Sequence, residues 1–312
     1  MAQSPKIQSL KDIPGEEVFL SDTLPKELKR VSIIIPAYNE ENAIRTQIEK
    51  IHSVMKDAGW QYEIIVVDDG STDNTAAEAE KANVKVIRQP RNRGYGAALK
   101  TGISAANSDY VSIIDADGTY PAEALPEMLA KAHDYDMIVG ARIGENVEIP
   151  WARRPAKWFL RKLASYLAEY PIPDLNSGLR VMRKSAVERF YHLLPSGFSF
   201  TTTITLAFFS NDLLVEYHPI AYAKRIGKSK IRPIDAYHFT LLILRTIVFF
   251  NPLRVFLPLG GALFIVGLGK FIYDLFIGNL SETAIMGFLG AFIIWAIGLL
   301  SDQISRVGLG GK

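Results

Sequence analysis

The C-terminal quarter of the chain constrains it most. From Thr283 to Ser301 run nineteen residues without a charged side chain. As a helix this stretch would be about 28 Å long, close to the hydrocarbon thickness of a bilayer. A second apolar stretch, from about Val255 to Ile277, carries only Lys270 and Asp274 as charges. Four residues apart, these two share a helix face and can pair. They also lie near the segment's end, where Lys270 can snorkel. The link between the stretches, Gly278 to Glu282, is short and polar. Two such runs with so short a link predict a membrane hairpin rather than two buried helices of a soluble core.

The flanks predict its orientation. Arg245 and Arg254 precede the first span, and Arg306 and Lys312 follow the second. The link carries Glu282 and no Lys or Arg. The positive-inside rule then places both ends in the cytoplasm and the link outside. Met1 to Arg30 is polar, with no apolar signal segment, and is read as an N-terminal extension. Residues 31–232 are expected to form a cytoplasmic domain. Residues 233–254 follow as an interfacial region, because Ile234 to Phe250 crowds apolar residues around His238 and Arg245. The spans themselves are expected at about 255–277 and 283–301, within 255–306. Gly260, Gly261, Gly267 and Gly269 would let the first span pack against another subunit in a homo-oligomer.

Composition closes off several classes. With no cysteine there is no disulfide framework and no thiolate metal site. The five histidines have no ligand spacing, which argues against structural zinc. A net charge of +2 argues against a nucleic-acid partner. At 312 residues the chain is long enough for one large domain or two units with a real core.

Before residue 235 the pattern alternates between strand and helix. Val31–Pro36, Tyr62–Val67, Val84–Arg88, Tyr110–Ile114 and Met137–Gly140 read as strands, the first two as apolar β-branched runs buried on both faces. Glu40–Lys56, Asp73–Ala82, Ala97–Ala106 and Ala122–Ala132 read as helices. This alternation predicts an α/β fold with a mostly parallel sheet, whose ligands sit beyond the carboxyl ends of the strands. Polar clusters follow three of those ends: Pro36 to Glu41, Asp68 to Asp73 and Asp115 to Gly118.

In the third cluster, Asp115 and Asp117 are residues i and i+2 of an extended segment and point the same way. Their carboxylates would repel unless a cation lay between them. Mg²⁺ or Mn²⁺, completed by substrate phosphates, suits that geometry. Asp68 or Asp69 could accept hydrogen bonds from a nucleobase or ribose, while Ser71, Thr72 and Asp73 suit the start of a helix. Gly94-Tyr95-Gly96 does not follow the first strand and is weak evidence for a dinucleotide loop.

These motifs together resemble family 2 glycosyltransferases with a Rossmann-like nucleotide-sugar domain. The resemblance rests on SIIIPAYNEE (Ser32–Glu41), VVDDGSTDNT (Val66–Thr75), NRGYGAALKTGI (Asn92–Ile103), DADGTYP (Asp115–Pro121) and Gly140-Ala141-Arg142. Within that family the chain resembles the dolichol- and polyprenyl-phosphate hexosyltransferases, through DLNSGLRVM (Asp174–Met182), RIGKSK (Arg225–Lys230) and NPLRVF (Asn251–Phe256). The resemblance implies a GDP- or UDP-hexose donor and a dolichyl or undecaprenyl phosphate acceptor. It implies that Pro36, Tyr38, Glu40 and Asp68 hold the base and ribose, and that Asp69 and Ala116 also bind the donor nucleotide. Asp115 and Asp117 would hold the metal and diphosphate. Arg142, Arg153, Arg154, Arg225 and Lys230 would neutralise phosphates of donor or acceptor, Arg225 acting in catalysis. The sequence departs from the mannose synthases in one place: Thr119 and Tyr120 stand where those often carry Gln and His. That leaves a third protein ligand of the metal open.

The chemistry matches these residue types. A lipid phosphate is already an anion at neutral pH, so it needs no strong general base. Catalysis must stabilise the departing nucleoside diphosphate, which a divalent cation and Arg/Lys side chains do by charge neutralisation. A basic patch at Arg225, Lys228 and Lys230 would also attract anionic headgroups. Two other classes fit less well. A processive polysaccharide synthase would want more spans and a Gln-x-x-Arg-Trp motif, but the chain has Gln303-Ile304-Ser305-Arg306-Val307, placed after both spans. A non-catalytic nucleotide-sugar sensor would not need the Asp115/Asp117 pair. The topology is tested with reporters: both termini should read cytoplasmic, and a tag at Asn279 should be accessible from outside. A cytoplasmic signal from that tag would contradict the two-span arrangement.

Overall fold

The computed structural model describes residues 30–142, 169–221, 247–279 and 281–310, with shorter pieces within 162–166 and 240–245. In chain order the elements are β1 (Arg30–Ala37), α1 (Ile44–Asp57), β2 (Gln61–Asp68), α2 (Thr75–Glu80), β3 (Lys85–Arg88), α3 (Tyr95–Ala105) and β4 (Tyr110–Ile113). A 3₁₀ turn, Ala122–Ala124, runs into α4 (Leu125–Ala130). Then come β5 (Met137–Ala141), β6 (Arg180–Arg183), α5 (Lys184–Arg189), α6 (Phe200–Phe209), β7 (Val215–Pro219), α7 (Leu253–Ile277) and α8 (Glu282–Gly310).

The strands form one seven-stranded sheet, ordered β3-β2-β1-β4-β6-β5-β7. Its inner strands are buried on both faces, as their unbroken apolar runs require. Ile33, Ile35 and Val66 point to one side, against Ile44, Ile48, Ile51 and Met55 of α1. Ile34, Ile65 and Val67 point to the other, against Leu99 and Ile103 of α3 and Ile204 of α6. Each fully buried apolar side chain of this size contributes about 1.5–3 kcal/mol. Helix α1 begins at Ile44 rather than Glu40, because Glu40 to Ala43 form a turn in which the Glu40 carbonyl accepts the Ala43 and Ile44 amides, both at 3.0 Å.

All pairings are parallel except those of β6, which runs antiparallel between β4 and β5. Its reversed direction places the loop that precedes it, 174–179, at the carboxyl ends of β4 and β5. Arg180, the first residue of β6, is fully buried. Its guanidinium donates to the carbonyls of Ser177 (2.9 Å) and Leu175 (3.0 Å) and to the Thr205 hydroxyl (2.7 Å). A buried charge needs such partners, and here they tie the loop to α6.

The two C-terminal helices are the ones long and apolar enough to cross a membrane among the described residues. They pack side by side. Gly267 and Gly287 meet backbone to backbone, and Gly260 leaves room for the Trp295 ring. Phe264 lies 5.2 Å from Phe288, centroid to centroid, and Trp295 donates to the Leu257 carbonyl at 3.2 Å. Gly260 and Gly267 are therefore used inside the hairpin, which corrects the expectation that all four glycines face a second subunit. Gly261 and Gly269 have open space where a Cβ would go. Lys270 pairs with Asp274, and Asp274 also accepts the amide (2.9 Å) and hydroxyl of Ser281, so it pins the inter-helix turn. Helix α8 continues beyond Ser301 because Asp302 and Arg306 pair at 2.7 Å one turn apart.

The hairpin is docked on the sheet domain. Ile247 is buried with Ala164, Ile172 and Leu206, and Val255 packs against the same cluster. Phe250 meets Phe190 edge-on at 5.9 Å, and the Ser305 hydroxyl donates to the Phe249 carbonyl. Arg254 donates to the Tyr166 carbonyl at 3.0 Å and pairs with Glu169. The described end of the expected interfacial segment, residues 247–250, is thus packed on the domain; most of the rest of that segment lies outside the described residues. A Cβ at Gly287 would lie 2.8 Å from the Gly267 Cα. Gly287→Leu should therefore force the helices apart, cost about 1–3 kcal/mol and lower the melting temperature in detergent. Gly261→Leu should leave α7–α8 cross-linking through introduced cysteines unchanged; equal loss in both variants would contradict this packing.

Candidate functional site

The carboxyl ends of β1, β2 and β4 gather the three acidic loops along one rim, and β5 brings Arg142 to it. The first two loops are stitched together. The Glu40 amide donates to the Thr75 hydroxyl (2.8 Å), Glu41 to Asp73 (3.2 Å), and Thr72 to the Asn39 carbonyl oxygen of its side chain (2.9 Å). Asn39 adopts a left-handed φ of 57°, which Asn tolerates and which turns the chain out of β1. Pro36 pairs opposite Val67, one residue before the strand ends, and is buried, while Tyr38 stands exposed on the rim. Glu40 lies in the same turn.

Asp68 and Asp69 are both buried but face different partners. Asp68 accepts the Ser71 amide at 3.0 Å, closing its own loop. Asp69 gives one oxygen to the Arg93 amide and the other to the Gly94 amide, each at 2.8 Å. This backbone-bracing role has no signal in the sequence, where the two aspartates look alike. It fixes the start of α3. There Gly94 has φ 101°, and a side chain at Gly94 or Gly96 would collide with the backbone of Pro195 to Gly197. The Gly-Tyr-Gly stretch is thus required by a close chain crossing.

Asp115 follows β4 and receives the Tyr95 phenol on Oδ1 at 2.9 Å. Behind it, a Cβ on Gly178 would lie 2.5–2.7 Å from the carboxylate atoms, so only glycine leaves room there. Ala116 is buried between the two aspartates. Asp117 Oδ1 accepts the Thr119 amide (3.1 Å) and hydroxyl (2.6 Å). Thr119 is therefore turned onto Asp117, and Tyr120 is buried with its oxygen accepting the Gly178 amide at 2.7 Å. Burial, above all, raises the Tyr120 pKa beyond the ordinary 10.0. Among the described residues no group of three or more His, Cys, Asp or Glu gathers to hold a metal. Two carboxylates on hard oxygen donors nonetheless suit Mg²⁺ or Mn²⁺, provided phosphates and water complete the shell.

Arg142 follows β5 and forks onto Asp174, Nε to Oδ2 at 2.6 Å and Nη2 to Oδ1 at 2.8 Å, with its own amide on Oδ2 at 3.1 Å. Such bidentate pairs are strong and directional. The residue expected to meet phosphate thus also holds the 174–179 loop in place. Arg180 was not singled out by sequence reasoning, because the strand it opens (RVMR) carries an arginine at each end and only the packing buries the first. Arg153, Arg154, Arg225 and Lys230 lie outside the described residues.

The family model described as Glycosyl transferase family 2 matches residues 32–190, and the one described as GtrB C-terminal hairpin matches residues 251–307. Among solved structures the chain is similar to the glucosyl-3-phosphoglycerate synthase of Mycobacterium tuberculosis. The complex of that enzyme with Mn²⁺, uridine-diphosphate and glucosyl-3-phosphoglycerate aligns at 19% identity and a TM-score of 0.57, covering 76% of this chain and 85% of that one. Its complex with Mg²⁺ and uridine-diphosphate aligns at 18% identity and 0.56, covering 76% and 84%. The likeness speaks for the fold: the expected α/β domain with a mostly parallel sheet.

The Asp174–Arg142 pair predicts a pH dependence. Burial works to raise the Asp174 pKa, but the Arg142 bonds and charge outweigh it, and the pKa lies below the ordinary 3.8. A depressed carboxylate stabilises the fold fully above its unfolded pKa, and that contribution fades as the pH falls through the folded value. Asp174→Asn should cost about 1.5–3 kcal/mol at neutral pH. The gap to the wild type should stay constant down to about pH 5 and narrow below about pH 4, as read from thermal unfolding of the full chain. A gap that widens on acidification would contradict the pairing.

Proposed function

The chain belongs to glycosyl transferase family 2, whose members transfer sugars from nucleotide donors, and we propose that it is a polyprenyl-phosphate hexosyltransferase. It moves a hexose from GDP or UDP to the phosphate of a dolichyl or undecaprenyl lipid, at the cytoplasmic face of a membrane crossed by α7 and α8. The observation that carries this reading is the union of two features in one body: an acidic donor rim, and an apolar hairpin docked through Ile247, Arg254 and Val255. A lipid acceptor explains why such a hairpin belongs to the enzyme. Its polyprenyl chain stays in the bilayer while the phosphate enters the rim. The structural relatives that bind Mn²⁺ or Mg²⁺ with uridine-diphosphate support a divalent cation here.

In this reading Tyr38, Glu40 and Asp68 meet the base and ribose, on a floor of Pro36, Asp69 and Ala116. Asp115 and Asp117 hold the cation beside the diphosphate. When bound, that cation supplies charge stabilisation to the leaving diphosphate. Arg225, Lys230, Arg153 and Arg154 bring positive charge to the two phosphates, and Arg142 adds its charge from the clamp on Asp174. The acceptor's phosphate oxygen, already anionic, forms a bond to the anomeric carbon as the bond from that carbon to the diphosphate oxygen breaks. The configuration inverts, and no side chain needs to take a proton.

The test uses the full chain in lipid nanodiscs with polyprenyl phosphate and a panel of radiolabelled nucleotide sugars. One or more donors should label the organic phase. Asp115→Ala and Asp117→Ala should lower that rate at least about a hundredfold with melting temperatures retained. Wild-type rates in either variant would overturn the metal–diphosphate assignment.

A further inference from the structure

We propose that Tyr95 is a positioning residue for Asp115, fixing the rotation of the carboxylate that receives the cation. The proposal rests on the reading above that Asp115 holds a divalent cation. Tyr95 is the first residue of α3, and its backbone is held from several directions. Asp69 grips the two preceding amides at 2.8 Å. The Ala97 amide donates to the Ser196 carbonyl at 3.0 Å, and Gly94 and Gly96 press against the Pro195–Gly197 backbone. From that anchored start the phenol reaches across the rim to donate to Asp115 Oδ1 at 2.9 Å. The carboxylate also lies against Gly178, whose amide is bound to Tyr120. The Asp115 carboxylate is thus held by a phenol and crowded by backbone. It can turn only by giving up the phenol bond.

The ring itself is supported from outside. Phe198 stacks on Tyr95 with centroids 5.5 Å apart and planes 16° from parallel, and Phe198 is 78% exposed. A large aromatic left in solvent is otherwise unfavourable; here its inner face steadies the phenol. Burial, then the Asp115 charge, push the Tyr95 pKa well above the usual 10.0. The hydrogen bond holds one carboxylate oxygen in a fixed direction, the way outer partners of metal ligands set their orientation. Removing such a partner typically weakens metal affinity about 10–100-fold.

The experiment reads Mn²⁺ affinity directly, by electron paramagnetic resonance of the full chain in detergent with UDP and, separately, GDP. Tyr95→Phe should weaken Mn²⁺ binding about tenfold or more. The Mn²⁺ concentration for half-maximal transfer should rise to match, with the rate largely recovered at saturating metal. Phe198→Ala, at an exposed position, should shift Mn²⁺ affinity the same way by a smaller factor. Tyr191→Phe is the control: it too loses a phenol bond, to the Lys100 carbonyl at 2.9 Å, away from the aspartates, and should bind Mn²⁺ as the wild type does. Wild-type affinity in Tyr95→Phe, alongside lost binding in Asp115→Ala, would overturn the role of Tyr95 and leave the metal reading standing. Wild-type affinity in Asp115→Ala would overturn the metal reading and this proposal with it. Should Tyr95→Phe not fold, unchanged affinity in Phe198→Ala overturns the proposal, as does equal weakening in Tyr95→Phe and Tyr191→Phe.

Discussion

Strand β6 is the element on which the rest of the site depends, because it runs against its neighbours. Pairing antiparallel to both β4 and β5, with Arg180 opposite Ile113 and Val139, it enters the sheet at the rim where the parallel strands leave it. The loop ahead of it therefore lies across the acidic rim. Arg180 secures that loop from below through two carbonyls, and Arg142 secures it from the side through Asp174. Gly178 then stands directly behind Asp115. A buried guanidinium with incomplete partners would be costly. The same requirement that satisfies Arg180 thus fixes the wall of the candidate metal site.

One of the apolar clusters that dock the hairpin also reaches this arrangement. Ile172, on the approach to the 174–179 loop, and Leu175 within it share that cluster with Ile247, Leu206 and Val255. The first turn of α7 is thereby placed close in space to the loop that backs Asp115. Arg254 adds polar ties at the same joint. A lipid carried beside α7 would present its phosphate to the domain from this side, which is the physical content of the acceptor assignment.

The first half of the fold is legible in the sequence because its strands are continuous apolar runs and its helices follow by helical periodicity. Beyond Gly140 that legibility fails for definite reasons. β6 is four residues long with arginine at both ends, and its burial is visible only through the partners that Arg180 finds in three dimensions. α6 (FTTTITLAFF) is enclosed on nearly every side, so it shows no polar face to mark its period. Asp115 and Asp117 announce themselves by spacing and by their place after a strand. Asp69 and Tyr95 do not, since what they do depends on the crossing of the Pro195–Gly197 segment over α3. The hairpin is legible from its lack of charge, whereas the inward use of Gly260 and Gly267 depends on which face of α7 meets α8.

The proposed acceptor is a lipid phosphate delivered by the hairpin, whereas the enzyme that shares the fold is seen in complexes with phosphoglyceric acid and glucosyl-3-phosphoglycerate. The most direct measurement is a competition. The full chain in nanodiscs is given a radiolabelled nucleotide sugar with polyprenyl phosphate and 3-phosphoglycerate present together at equal concentration, and label is counted in the organic and aqueous phases. A lipid acceptor puts label in the organic phase, in a product that mild acid releases as free sugar. Label that remains in aqueous glucosyl-phosphoglycerate, with none in the lipid, would contradict it.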